Sequence, residues 1–274
     1  MNPYEVHPGS APPGALPVGE VVRDLFLALI PLALFTAGSA WVMGGPAGGP
    51  TGGEARRVVG LSAALYGALA LLILVQAPRH LNRSTPASGA QELTGDGSWG
   101  GMGPANRITL LRATMVVPLA ALLPMWRELE SGGLWWVIGI STLVLLLDGV
   151  DGWVARKTHS ATAFGARFDM ELDAFLLLVL SLGVWLSGKV GAWVILIGAL
   201  RYLFVVAGWM WPALQEPLPE SFRRKAACVV QGIALLVCLG PIIPVWLAWA
   251  AAAFSLTLLV YSFGADILWL LRKR

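Results

Sequence analysis

From Asp148 to Asp173 the chain reads DGVDGWVARKTHSATAFGARFDMELD. Asp148 and Asp151 stand three residues apart, and Asp169 and Asp173 four apart, at the facing ends of two long apolar stretches. A carboxylate at the centre of a membrane helix costs roughly 2.5–3.5 kcal/mol on insertion scales. Four of them together require a cation that they share. Residues three or four apart on a helix return to one face, so each pair aims two carboxylates at one point. The short connection makes the two helices neighbours, so both pairs can converge. Hard oxygen ligands of this kind suit Mg²⁺ or Mn²⁺, whereas zinc would want His or Cys. Two such ions about 3.5–4 Å apart would clamp a diphosphate and offset charge on its leaving group. The small residues fit that picture. Gly149 and Gly152 let a ligand approach the backbone, Ala155 keeps a nucleotide-sized space open, and Arg156 offers a fixed charge to a phosphate oxygen. Glu171 falls off the Asp169–Asp173 face and stays outside the metal shell.

The rest of the composition points to lipid as part of the solvent. The chain has 274 residues, 57% hydrophobic and only 13% charged, with a mean hydropathy of +0.71; a soluble domain carries about 25% charged residues. Eight stretches are apolar over about 20 residues, the length of a bilayer crossing: 24–44, 58–77, 108–126, 133–153, 168–188, 190–210, 226–246 and 247–271. Pro31 and Pro118 interrupt two of them, as membrane helices tolerate. Trp126, Trp135, Trp136, Trp209, Trp211 and Trp269 fall near predicted ends, as an aromatic belt at the headgroups would place them. With the N-terminus inside, thirteen Lys and Arg fall on inner segments and four on outer loops. This asymmetry predicts both termini and the aspartate cluster on the cytoplasmic side. It also accounts for the net charge of +3 without nucleic acid as a partner. Cys228 and Cys238 lie in apolar stretches and read as small hydrophobes. The N-terminus, with Pro8, Pro12 and Pro13 before any apolar run, does not resemble a cleavable signal peptide. The Gly/Ser/Thr/Pro-rich segment 81–103 reads as a loop. It divides an N-terminal extension with two transmembrane helices, 1–103, from a core, 104–274. Gly45 to Gly53 reads as an outer turn.

The pattern D-x-x-D-G-x-x-A-R, eight residues, G-x-x-x-D-x-x-x-D resembles the signature of the CDP-alcohol phosphotransferases, also called CDP-alcohol phosphatidyltransferases. Asp148, Asp151, Gly152, Ala155, Arg156, Gly165, Asp169 and Asp173 fill every signature position. Upstream, Pro104-Ala105-Asn106-Arg107-Ile108-Thr109-Leu110-Leu111-Arg112 is similar to the Asn-x-x-Thr-x-x-Arg stretch that opens the family's first core helix. The resemblance implies an all-α polytopic membrane protein, with a six-transmembrane-helix core preceded here by two extra helices. It implies transfer of a substituted phosphate, most often phosphatidyl from CDP-diacylglycerol, to an alcohol acceptor in phospholipid biosynthesis, with release of CMP. By the same resemblance Asp148, Asp151 and Asp169 are metal ligands, and Asp173 is a ligand or the base that deprotonates the attacking hydroxyl; Asp169 and Asp173 form the catalytic pair. Asn106, Thr109, Gly152, Ala155, Arg156 and Gly165 are assigned to the nucleotide. Members with phosphorylated acceptors place extra bases near the metals. Arg112, Arg201, Arg224 and Lys225 are the candidates here; the alternative for Arg201 is a structural ion pair or a long side chain reaching the surface, and Arg223-Arg224-Lys225 reads equally as a topology anchor. Members commonly pair as homodimers. Three other readings compete: a CDP-choline or CDP-ethanolamine donor with diacylglycerol as acceptor, a divalent-cation transporter, and a silent lipid-binding scaffold. Clustering of the acids at one face argues against the transporter, and the complete signature against the scaffold.

Overall fold

The computed structural model describes residues 18–43, 52–81, 102, 104–158, 163–211 and 222–272. All regular structure among them is helical. The helices are α1 (Val18–Leu27), α2 (Leu29–Met43), α3 (Gly52–Leu81), α4 (Pro104–Ala121), α5 (Ser131–Thr158), α6 (Ala163–Leu186), α7 (Ile195–Met210), α8 (Phe222–Leu239) and α9 (Val245–Arg272), with 3₁₀ turns at Leu123–Glu128 and Ala192–Val194. The loop 82–100 and most of the Gly45–Gly53 turn lie outside the described residues.

Five stretches are long and apolar enough to cross a membrane: Gly19–Met43, Gly53–Val75, Ser131–Val154, Ala192–Met210 and Val245–Ala265. The chain is an all-α polytopic membrane protein. The other three predicted spans correspond to α4, α6 and the short apolar helix within α8, Ala226–Leu239. α4 carries Arg112, and α6 carries Asp169 and Asp173. Fourteen residues of α4 are buried, because α2, α3, α5 and α6 all pack against it. Protein is the solvent of this helix, so it has no need of lipid-grade hydropathy. The outward faces are apolar instead, with Ile30, Trp41, Leu71, Trp209 and Phe254 all exposed, as acyl chains require.

Prolines set several boundaries. The predicted span 24–44 is two helices, α1 and α2, that join at Ala28. Pro31 has no N–H, and its ring crowds the carbonyl of Leu27. The axis still continues, since Ala28 N–H donates to Asp24 O and Leu32 N–H donates to Ala28 O, both at 3.1 Å. Pro118 likewise lies one turn from the end of α4, and the chain tightens into 3₁₀ geometry. The predicted span 226–246 is shorter than expected: α8 stops at Leu239, and Pro244 O accepts from Ala248 N–H at 3.1 Å to open α9.

Two tryptophans assigned to the headgroup belt belong to the core. Trp126 is buried against Gly183, where a Cβ would collide with the indole. Trp136 lies on Gly38 and donates its Nε1–H to Ser39 Oγ at 3.2 Å. Each fills a notch left by a glycine on another helix. Trp135, Trp209 and Trp211 are exposed, as the belt requires; the side chain of Trp269 lies outside the described residues.

The ends of the helices are tied in two places. At one end Gly188, at φ 73°, caps α6 in the left-handed conformation that favours glycine. The neighbouring Lys189 Nζ then donates to the carbonyls of Gly240 and Ile243 beyond α8. At the other end lie the start of α4, the end of α5 and the starts of α6 and α8, where the aspartates are. α7 approaches α6 closely at Gly198. A Cβ there would collide with Leu178 Cα and stand 2.7 Å from Leu177 O. Backbone cannot yield as a side chain can, and overpacking of this kind costs typically 1–3 kcal/mol. Gly198→Val is therefore expected to lower the melting temperature in detergent, and an unchanged melt would contradict this close approach.

Candidate active site

Asp148 stands near the end of α5, and Asp169 and Asp173 near the start of α6. α4 lies against both helices and sends Arg112 between them. One Arg112 nitrogen, Nη1, donates to Asp169 Oδ1. The other, Nη2, donates to Asp173 Oδ1 and lies 3.0 Å from Asp148 Oδ1. One carboxylate oxygen from each aspartate lies within 4.8 Å of the other two. The two helix ends do converge, as the three- and four-residue spacings imply.

Exposure around this group is lopsided. The Arg112 side chain has 0% of its surface exposed, whereas Asp148, Asp169 and Asp173 keep 34%, 35% and 23%. The guanidinium backs the cluster from the protein side, and the carboxylates open on the other. Three carboxylates against one guanidinium leave two negative charges, all on hard oxygen. That donor set fits a divalent ion of the Mg²⁺ or Mn²⁺ kind.

The remaining predicted residues are distributed over α4, α5, α6, α7 and α8. Asn106, Thr109 and Arg112 repeat every three residues along α4 and are all buried, so one helix face carries the row. Asn106 Nδ2 donates to Met102 O at 2.7 Å, and Thr109 Oγ1 to Ala105 O at 3.3 Å. Pro104 occupies the first position of this helix, where a missing N–H costs nothing. Gly152 is half-buried in α5, and Gly165 is buried in the first turn of α6. The side chains of Asp151, Ala155, Arg156, Arg223, Arg224 and Lys225 lie outside the described residues; their backbone belongs to α5 and α8. Arg201 is not brought to the aspartates. It pairs with Glu171, the acid predicted to point away from the metal face. Arg112, considered above for the acceptor, is placed on the aspartates themselves.

Two further residues carry no motif in the sequence that marks them. Cys228 on α8 lies within electrostatic reach of Asp173, Asp148, Asp169 and Arg112, because α8 packs on α5 and α6. Asp24, on α1, is buried and accepts from Arg107 Nε at 3.1 Å.

The family model described as CDP-alcohol phosphatidyltransferase matches residues 102–257. No curated protein and no solved structure matches the chain. The family match covers more than half of the sequence and includes every residue of the aspartate signature. The chain belongs to the CDP-alcohol phosphatidyltransferase family, whose members are transferases.

Proposed function

We propose, with membership of that family as the premise, that the chain transfers a phosphatidyl group from CDP-diacylglycerol to an alcohol acceptor and releases CMP. The observation that carries this reading is the convergence of Asp148, Asp169 and Asp173, one oxygen of each within 4.8 Å of the others. Asp151, one turn beyond Asp148, completes the ligand set. Bound there, two Mg²⁺ or Mn²⁺ ions would screen the diphosphate and the charge on the departing phosphate. The chain's own residues do the rest. Gly152, Ala155, Arg156, Gly165, Asn106 and Thr109 seat the cytidine and diphosphate. The acceptor oxygen bonds to the phosphorus that carries diacylglycerol, the bond from that phosphorus to the bridging oxygen breaks, and CMP departs with the electron pair. The hydroxyl proton passes to Asp173, with Asp169 beside it. Arg224 and Lys225 are the groups that would meet a phosphorylated acceptor, Arg201 being engaged by Glu171.

The basic residues favour a cytoplasmic site, with both termini on that side, where soluble nucleotides are found. Residues 104–274 form the catalytic core and 1–103 an extension to it. The working unit is a homodimer, by the habit of the family.

The test is direct. Purified protein given CDP-diacylglycerol, Mg²⁺ or Mn²⁺ and a panel of alcohols should release CMP, with the product lipid identified by mass. EDTA should abolish release, and restored Mg²⁺ or Mn²⁺ should return it. Turnover that survives EDTA would falsify the metal assignment. CMP release from CDP-choline or CDP-ethanolamine with diacylglycerol, but not from CDP-diacylglycerol, would reverse donor and acceptor. Divalent-ion flux in proteoliposomes without nucleotide turnover would replace the enzyme by a transporter.

A further inference from the structure

The N-terminal helices lie outside the aspartate signature, yet one of their residues reaches the start of α4. Asp24 sits on α1 with its side chain 3% exposed. A buried carboxylate in an apolar helix is expensive unless it is paired and hydrogen-bonded. Its Oδ2 accepts from Met102 N–H at 3.0 Å and from Arg107 Nε at 3.1 Å. Arg23 adds a looser pairing at 3.8 Å. Met102 then works in both directions. Its N–H is held by Asp24, and its carbonyl accepts from Asn106 Nδ2 at 2.7 Å. Asn106 begins the row that ends at Arg112 on the aspartates. The contacts therefore run from a carboxylate of the extension, through one residue of backbone, to an amide at the head of the site's own helix face. Apolar packing supports the same junction: Met102 and Leu110 share a buried cluster with Val21, Leu25 and Tyr66, and Tyr66 Oη donates to Leu25 O at 2.7 Å.

We infer that Asp24 is a positioning residue for nucleotide binding: it fixes Met102, and Met102 fixes the amide of Asn106. The inference rests on the reading of the site as a cytidine-nucleotide site. It makes the extension part of the working enzyme, since a core without α1 would lack the group that anchors Asn106.

The experiment uses the full-length protein, CDP-diacylglycerol and the best acceptor from the panel. Asp24→Leu removes both bonds, whereas Asp24→Asn keeps an acceptor for the Met102 N–H. A change confined to uniform binding raises KM and spares kcat. Asp24→Leu is thus expected to raise KM for the CDP donor about tenfold and to leave kcat within about twofold. Asp24→Asn should recover most of that loss. In a double-mutant cycle, Asp24→Leu should add less than about twofold to KM on an Asn106→Ala background, because the two changes break one chain of contacts. If the leucine variant does not fold, the cycle is run with Asp24→Asn, which should raise KM about threefold alone and not at all beside Asn106→Ala. An equal rise on both backgrounds, or a lowered melting temperature with KM unchanged, would overturn the inference and leave Asp24 a structural anchor. Wild-type protein that releases no CMP with any acceptor would overturn the reading of the site and this inference with it.

Discussion

Asp169→Asn should abolish CMP release, with a loss of at least about a thousandfold, or roughly 4 kcal/mol of transition-state stabilisation. The same is expected of Asp148→Asn. The substitution keeps size and shape, so packing is preserved. It replaces a charged oxygen ligand by a neutral amide at a point where one oxygen from each of three residues already lies within 4.8 Å of the others. Oxygen ligands hold Mg²⁺ largely through charge, and a misplaced or missing ion loses its hold on the diphosphate. Folding should survive, because Arg112 keeps two carboxylates when the third is neutralised. The measurement is CMP release beside a detergent melt. Activity above a tenth of wild type, with an unchanged melt, would remove Asp169 from the ligand set.

The second large effect is expected at Arg112. Its guanidinium is fully buried and touches Asp148, Asp169 and Asp173. Arg112→Leu leaves three clustered carboxylates with no positive charge between them. Removing one partner of a buried ion pair costs about 3–5 kcal/mol. A bound divalent ion supplies the missing charge, and at a hundred times its Kd a ligand stabilises a fold by about 2.7 kcal/mol. Arg112→Leu should therefore melt well below wild type in EDTA and regain much of the difference in Mg²⁺ or Mn²⁺. Wild type, which has its own internal cation, should gain less from the metal. Equal metal-induced shifts in the two proteins would show that guanidinium and metal do not share these carboxylates. Arg112→Lys should not restore wild-type behaviour, because one ammonium cannot reproduce the two-nitrogen fork.

The aspartates were legible because four charges in so apolar a chain demand an explanation, and because their spacings are those of a helix face. Helical class was legible for the same reason that lipid is: eight stretches are apolar over about the length of a bilayer crossing. What sequence could not settle was which apolar residues face protein. Trp126 and Trp135 look alike along the chain, and the difference lies in Gly183, which receives only the first. Arg112 read as an acceptor-side base because its partners lie 57 and 61 residues downstream. For Arg201 both readings stood open, and the structure supplies a partner, Glu171. Asp24 has no second aspartate one turn away, unlike the four of the signature. It stands at the first position of a predicted span, where an acid is easily taken as a solvated end.

The setting of Arg112 also bears on how the chain is made. Synthesis runs from the N-terminus, so α4 reaches the translocation machinery while Asp148, Asp169 and Asp173 are still unsynthesised. A solitary arginine in a nascent hydrophobic segment carries an insertion penalty of roughly 2.5–3.5 kcal/mol. That segment is expected to be held more firmly once α5 and α6 have emerged beside it. Biogenesis of the bundle is therefore expected to be cooperative: Arg112 of the third segment gains its partners only from the acids that follow, and Asp24 of the first gains Met102 and Arg107 only when the third arrives.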